Sequence, residues 1–107
     1  MLSEHLCSIS IKFKNLSSNL NKKLIYNITL FVDKEIKFIE KVGAKIKKKR
    51  IESGHSQLNF AALLNIEDSA LRRIEAGKTN PTLKTLYRIA NALNLTICDL
   101  LKVEEDI

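Results

Sequence analysis

Apolar residues recur at helical spacing in two short segments near the middle of the chain. The apolar residues that share a helical face are Phe60, Ala61 and Leu64 in the first segment, and Ala70, Leu71 and Ile74 in the second. Spacings of one, three and four residues place side chains on one side of an α-helix. Asn65-Ile66-Glu67 separates the segments, and asparagine tolerates the left-handed backbone of a sharp turn. The pattern therefore predicts two short helices joined by a tight turn, which is the helix-turn-helix arrangement.

Capping residues predict where the neighbouring helices begin and end. Ser56, Thr82 and Thr96 carry hydroxyls that can accept from the free backbone N–H groups at a helix start. Gly54 and Gly77 follow apolar segments and can adopt the positive φ that ends a helix. After Thr82, the spacing predicts an inward-facing stripe made of Leu83, Leu86, Tyr87, Ala90 and Leu93. These signals extend the helical pattern on both sides of the central motif.

The first 40 residues carry weaker patterns and form a predicted N-terminal extension. Residues 9–14 alternate apolar and polar side chains, and residues 23–32 are rich in β-branched and aromatic side chains. Each segment predicts a short strand. Three interpretations stay open: a β-hairpin that packs on the domain or pairs with a second copy, a disordered arm, and sequence upstream of the true start codon. Next, Asp33 is a candidate N-cap for a helix that begins at Lys34 and is interrupted at Gly43.

The polar face of the second motif helix carries groups that can recognise DNA bases. Its residues are Asp68, Ser69, Arg72 and Arg73. Arginine donates in pairs to guanine N7 and O6, and a carboxylate accepts from cytosine N4. A charged outer face is also ordinary on an isolated helix, so the helix alone leaves both interpretations open. The same two interpretations, phosphate contact or solubility, apply to a predicted basic rim made of Lys45, Lys47, Lys48 and Lys49.

From residue 46 to residue 101, the chain resembles the Cro/phage-repressor type of helix-turn-helix domain, also called the xenobiotic-response-element family of bacterial regulators. The matching residues are Arg50, Gly54, Ser56-Gln57, Ala61, Leu64, Ile74-Glu75, Gly77-Lys78, Asn80-Pro81, Thr85-Leu86, Ile89-Ala90 and Ala92-Leu93. The resemblance implies an all-α, lambda-repressor-like domain of five helices around one small core. It also implies that the helix of residues 67–76 enters the major groove of double-stranded DNA, within a motif at residues 57–76. Residues 1–40 and an acidic tail at 102–107 flank this domain.

The resemblance assigns individual roles within the domain. It implies that Arg50 forms a structural ion pair with Glu75, and that Gln57 and Lys78 contact the DNA backbone. Together with the polar helix face, it gives a predicted set of DNA-binding residues: Ser56, Gln57, Asp68, Ser69, Arg72, Arg73, Lys78 and Asn80. Relatives often have a neutral or basic residue where Asp68 stands, and an acidic side chain there repels nearby phosphates.

Composition supports a polyanion as partner and argues against other functions. The chain has 18 basic and 12 acidic residues, for a net charge of +6, which suits nucleic acid or an anionic surface. Cys7 and Cys98 are far apart and read as free thiols of a reducing cytoplasm. We expect no membrane span, no secretory signal, no metal and no cofactor, because the sequence has no long apolar run and no ligand cluster. We also expect no enzymatic activity, because no acid/base set or phosphate loop is present.

These observations predict a cytoplasmic bacterial transcriptional regulator, a repressor, that binds an inverted repeat as a homodimer. One alternative is the antitoxin of a toxin–antitoxin pair, which would regulate its own promoter and bind the toxin through residues 1–40. Another is a protein-interaction module that has lost DNA affinity. The acidic residues Glu67 and Asp68 at the start of the second motif helix motivate that last interpretation.

Overall fold

The computed structural model describes residues 19–104, with side chains from residue 22 onward. Within these residues it contains five helices and no strand, which confirms the predicted all-α fold. The helices are α1 (Asn19–Glu52), α2 (Gln57–Leu64), α3 (Asp68–Glu75), α4 (Leu83–Ala92) and α5 (Ile97–Leu101). The chain divides into two compact units after Lys37. We call residues 22–37 the arm and residues 38–104 the helix-turn-helix domain, and describe each by itself.

The arm is helical, so the prediction of a strand at residues 23–32 was wrong. β-branched residues disfavour a helix by only a fraction of a kcal/mol each. In a helix of 34 residues, every added residue also contributes one backbone hydrogen bond. The Thr29 hydroxyl donates to the Ile25 carbonyl at 2.9 Å, so this polar group has its partner within the helix. The other predicted strand, residues 9–14, lies outside the described residues.

Helix α1 neither starts at Asp33 nor breaks at Gly43, which corrects two further expectations. Asp33 lies inside the helix, with its Oδ2 3.5 Å from Lys37 Nζ. A Cβ built on Gly43 would overlap the carbonyl oxygen of Ile74 and come within 2.9 Å of the carbonyl oxygen of Glu75. Gly43 is therefore the point where the backbone of α1 approaches the end of α3 closely, rather than a helix breaker.

The core of the helix-turn-helix domain draws on all five helices. Its buried apolar residues are Val42, Ile46, Phe60, Ala61, Leu64, Leu71, Ile74, Ile89, Ala90, Leu93 and Leu100. The motif helices thus bury the faces that their spacing predicts, except that Ala70 is only half-buried. In α4 the expected stripe was partly wrong, because Leu83 and Tyr87 are 72% and 60% exposed. Ile89, which the expected stripe omitted, is fully buried and shifts the inward face of α4 away from both.

The predicted caps and turns are confirmed. Asn65 adopts φ 56°, and Gly54 and Gly77 adopt φ 79° and 71°. The hydroxyls of the three predicted N-caps, Ser56, Thr82 and Thr96, accept from the backbone N–H groups of Asn59, Thr85 and Asp99. Each cap satisfies an N–H group that has no partner within its helix. The starts of α2, α4 and α5 are therefore set locally by short sequence motifs.

Two lysines of α1 hold the segment that ends the domain. Lys45 Nζ donates to the carbonyl oxygens of Asp99 and Lys102, the latter at 2.8 Å. Lys41 Nζ donates to the Glu104 carbonyl at 2.7 Å. A cationic donor complements the free carbonyls and the negative dipole end of a helix C-terminus. Lys45 therefore stabilises the packing of the last helix on α1, although the sequence placed it on a rim that could contact phosphates.

We expect Gly43→Ala to destabilise the domain, against the ordinary preference for alanine over glycine in a helix, which is about 1 kcal/mol. The new methyl group would overlap backbone oxygens of α3 that cannot rotate away. The free energy of unfolding should fall by about 1–3 kcal/mol, as in other overpacked sites. Urea unfolding followed by circular dichroism measures this. The control is Ala44→Gly at the adjacent exposed position, which should show only the loss of helix propensity. A Gly43→Ala variant more stable than wild type would contradict the close approach of α1 to the backbone of α3.

Candidate nucleic-acid interface

A buried ion pair fixes α3 against α1. Arg50 Nε donates to Glu75 Oε1 at 2.6 Å, and Arg50 Nη2 donates to Glu75 Oε2 at 3.3 Å. The two side chains are only 7% and 2% exposed. Arg50 Nη1 also donates to the carbonyl of His55 at 2.7 Å, in the turn before α2. One guanidinium therefore connects α1, the turn before α2 and the last residue of α3.

Gln57 adds a third donor to the same carboxylate. Its Nε2 lies 2.8 Å from Glu75 Oε2, and a carboxylate only accepts, so the amide nitrogen must face Glu75. The second N–H of that amide and its backbone N–H at the start of α2 remain able to donate to a phosphate. Gln57 thus links α2 to α3 in addition to its predicted DNA contact. Sequence reasoning missed this link, because nothing local relates residues 18 positions apart.

Asp68 and Arg72 pair along the exposed face of α3. Arg72 Nη2 lies 2.6 Å from Asp68 Oδ2, and the two side chains are 62% and 40% exposed. The hydrogen bond from Arg72, together with its positive charge, holds the pKa of the Asp68 carboxyl below its usual range. The carboxylate is therefore ionised at neutral pH and its charge is offset by Arg72. Among the described residues, Arg73 has no ion-pair partner.

Basic side chains from three elements surround a shallow, open depression beside α3. We call it the basic depression; it is lined by Lys47, Gln57, Arg72, Arg73, Glu75, Ala76 and Lys78. The charge of Glu75 is offset by Arg50 beneath it, so the cations of α1, α3 and the turn after α3 dominate the surface. This arrangement can accept a polyanion while the helix face presents donors to base edges.

The basic depression brings together four of the eight predicted DNA-binding residues: Gln57, Arg72, Arg73 and Lys78. Ser56 lies at the start of α2, where its Oγ accepts from Asn59 N–H at 3.1 Å. Ser69 Oγ lies 3.4 Å from Glu67 Oε2. Asn80 instead lines an apolar crevice with residues that include Pro81.

The structure also shows that the lysines of the predicted basic rim on α1 have different surroundings. Lys47 lines the basic depression, Lys45 binds backbone carbonyls, and Lys49 Nζ lies 3.4 Å from Glu52 Oε2. These lysines are consecutive or nearly so in the sequence, and only their angular position on α1 distinguishes them. Lys48 is exposed and does not line the basic depression, so Lys47 is the rim residue with the surroundings of a phosphate contact.

Comparison with known proteins gives the same fold. The Helix-turn-helix family model matches residues 46–100. The SPbeta prophage-derived HTH-type transcriptional regulator YonR of Bacillus subtilis (strain 168) is 38% identical over 60 residues, which are 56% of this chain and 56% of YonR. The ImmF control region 10 kDa protein of Bacillus phage phi105 is 41% identical over 66 residues, 62% of this chain and 72% of that protein. The chain thus spans little more than half the length of the first relative.

Two solved structures are similar to the domain. The clp gene regulator ClgR from C. glutamicum superposes with a TM-score of 0.58 at 22% identity, over 60% of this chain and 82% of its own. The restriction-modification controller protein C.AhdI from Aeromonas hydrophila gives a TM-score of 0.56 at 27% identity, over 58% of this chain and 94% of its own. At 22% identity, the ClgR likeness shows the fold alone. None of the described helices is long and apolar enough to cross a membrane.

We expect Arg50→Ala to destabilise the domain strongly, because it leaves the Glu75 carboxylate buried without its cation. Breaking a buried pair from one side costs about 3–5 kcal/mol. The matched control is Arg72→Ala, which breaks an ion pair of the same 2.6 Å separation on the exposed face; exposed pairs contribute little. Thermal unfolding should show a large fall in Tm for the first variant and almost none for the second. Equal shifts would mean that burial does not set the importance of the Arg50–Glu75 pair.

Proposed function

Because the chain belongs to the Cro/phage-repressor type of the helix-turn-helix family, we propose that it is a repressor that reads an operator in the DNA major groove with α3. At the coarser level of its family, it is a DNA-binding transcriptional regulator and not an enzyme. The observation that carries the finer proposal is the basic depression beside the exposed arginines of α3. The YonR relative is itself named a transcriptional regulator, and the phage relative is named for a control region.

The residues around α3 divide into two kinds of contact in this proposal. Lys47 and Lys78 supply cations, and Gln57 supplies amide donors, to the phosphates on either side of the groove. Arg72 and Arg73 donate to guanine N7 and O6, a bidentate contact that discriminates against a wrong base by about 1–3 kcal/mol. Phosphate contacts fix the position of the domain on DNA, and the arginines supply the sequence preference.

In this proposal Asp68 orients Arg72 for base contact, in addition to repelling phosphates. It engages only one of the guanidinium nitrogens of Arg72, and a guanidinium has five N–H donors in a rigid plane. Arg72 can therefore stay held by Asp68 while its other edge faces a guanine. Such a pair orients the arginine and removes one net charge from the interface. Both effects favour sequence preference over general affinity for phosphate, so the acidic side chain of Asp68 is compatible with DNA binding.

The proposal includes a homodimer that binds an inverted repeat in the bacterial cytoplasm. Members of this family commonly bind two half-sites one helical turn apart, about 34–36 Å, with protein symmetry matching operator symmetry. The antitoxin alternative is favoured by one observation: the arm exposes large apolar side chains, including Leu24 and Phe31, that could meet a different protein. A neighbouring reading frame that encodes a small toxin, whose activity the purified chain suppresses, would favour the antitoxin over a repressor without a toxin partner.

The repressor proposal predicts two distinguishable losses of DNA binding. Arg72→Ala and Arg73→Ala should each reduce the preference for a selected operator over random duplex by about 5- to 150-fold, from the 1–3 kcal/mol of a base contact. Lys47→Ala and Lys78→Ala should weaken binding to both duplexes alike and lower the slope of log K against log salt by about 1 each. Arg88→Ala, an exposed arginine of α4 away from the basic depression, is the control. Absence of wild-type DNA binding at low salt would refute the proposal.

The role of Asp68 can be tested with Asp68→Asn, which keeps the shape and removes the negative charge. We expect tighter binding to random duplex and a smaller preference for the operator, because Arg72 becomes a free cation with less orientation. Competition between labelled operator and random duplex measures the ratio. An operator consensus without G·C pairs in the half-site, or an unchanged ratio for Asp68→Asn, would show that the Asp68–Arg72 pair does not read bases.

A further inference from the structure

Gln57 holds one oxygen of the buried Glu75 carboxylate more closely than Arg50 does. Gln57 Nε2 lies 2.8 Å from Glu75 Oε2, whereas Arg50 Nη2 lies 3.3 Å from the same atom. The usual upper limit for an N–H···O hydrogen bond is about 3.2 Å. Arg50 makes its short bond, at 2.6 Å, with the other oxygen, Oε1. Gln57 therefore supplies the short hydrogen bond of Oε2 and, together with Arg50, fixes the rotation of the carboxylate at the last residue of α3.

Gln57 also lies on the surface proposed to contact DNA. It is the first residue of α2 and lines the basic depression together with Arg72 and Arg73. A side-chain amide has two N–H donors; one binds Glu75, and the other is available to a phosphate in the depression. Lys78 lines the same depression, but its side chain makes no hydrogen bond or ion pair among the described residues. A phosphate held by Gln57 is thus connected to α3 through side-chain hydrogen bonds, and a phosphate held by Lys78 is not.

Base recognition places a stricter demand on the position of α3 than phosphate binding does. Groups of a binding site must be held within about 0.5 Å and 10–20° of the productive geometry, by packing and by hydrogen bonds from supporting residues. Arg72 and Arg73 lie in the same turn of α3 as Glu75, so the anchor of Glu75 also holds these two arginines. Phosphate contacts fix the register of a protein on the duplex. A residue that binds a phosphate and the end of α3 at the same time sets the distance between the two.

We propose that Gln57 is a positioning residue for base recognition. Its amide holds a backbone phosphate and Glu75 at the same time, and so sets the register of Arg72 and Arg73 on the bases. This inference rests on the proposed function and deepens it. Gln57 touches no base, yet it contributes to operator preference as well as to affinity for the DNA backbone. An ordinary phosphate contact contributes to affinity alone.

Competition between labelled operator and random duplex tests this role. Gln57→Ala should lower the preference for the operator about 5-fold or more, which is the discrimination lost with one base contact. Lys78→Ala is the matched comparison, because it removes a phosphate contact from the same depression and should weaken both duplexes alike. An unchanged preference in Gln57→Ala overturns the proposal. An equal loss of preference in Lys78→Ala also overturns it, because any phosphate contact would then have the same effect.

Loss of stability is a separate effect of Gln57→Ala, because Glu75 Oε2 loses its short hydrogen bond. Thr96→Ala is the control for this effect, since it removes the N-cap of α5, which does not line the basic depression, and destabilises the domain without touching Glu75. The Tm of both variants is measured, and Thr96→Ala should keep the operator preference of wild type. If Thr96→Ala loses preference as much as Gln57→Ala does, the effect is one of stability and the proposal is overturned.

Proton–nitrogen NMR spectra of the Gln57 side-chain amide test the geometry directly. A hydrogen bond to a carboxylate or phosphate moves the proton resonance to lower field, and the pair of signals is assigned by its loss in Gln57→Ala. One of the two protons should show this shift in the free protein, and both should show it in the operator complex. If the proton bonded to Glu75 returns to the position of a solvated amide when operator binds, Gln57 exchanges Glu75 for the phosphate and the proposal is overturned.

The same measurements separate failure of this inference from failure of the proposed function. A wild type that prefers its operator, with Gln57→Ala preferring it equally, leaves the repressor standing and refutes the positioning role. A wild type that binds no DNA at low salt refutes the repressor, and the positioning role with it.

Discussion

The domain depends on one buried carboxylate, that of Glu75 at the end of α3. Three N–H donors from two other helices converge on it, two from Arg50 and one from Gln57. A carboxylate taken out of water without such partners costs several kcal/mol, so the cluster is stable only when all three helices are in place. No buried side-chain nitrogen or oxygen among the described residues lacks a partner. The orientation of α3 is thus set by a polar cluster as well as by the apolar core.

This constraint explains how a small domain can use some of its cations to hold the fold and leave others exposed for binding. Arg50 is paired with Glu75, and Lys45 donates to a backbone carbonyl after α5. What remains around α3 is a set of cations with exposed side chains and no buried partner, so their attraction for a polyanion is not offset by a fixed internal charge. Arg72 differs from the other cations because it pairs with Asp68. This pairing lowers the positive charge of the surface without a desolvation cost, because both groups stay in water.

The parts of the structure that could be predicted from the sequence are those with local causes. N-caps such as Ser56 and the left-handed turn at Asn65 depend on contacts within three or four residues, and they were predicted correctly. The strand predicted at residues 23–32 failed because β-branched composition is a weak preference that a long helix overrides. Gly43 was misread for another reason: its role comes from the backbone of α3, some thirty residues away in sequence.

The site shows the same division. The ordered motif pointed to Gln57, Arg72, Arg73 and Lys78, which line one surface. Spacing alone could not say which lysine of α1 joins them, since that depends on where α3 lies around α1. Spacing also could not predict whether Asp68 and Arg72 pair with each other. Residues four apart on a helix can either pair or contact DNA separately. The structure of the free protein shows the pair formed, and the contact with DNA follows as a proposal.

The small number of phosphate contacts available to one domain is the physical reason for including a homodimer in the proposed function. In the proposed DNA contact, Lys47 and Lys78 are the cations that a single copy offers to the backbone, so the salt-dependent part of its affinity would be modest. Specific regulators bind with Kd values of about 10⁻⁸–10⁻¹¹ M, which is difficult to reach with so few contacts. Linking two copies makes the second half-site contact intramolecular, and this raises affinity by orders of magnitude without a new contact to DNA.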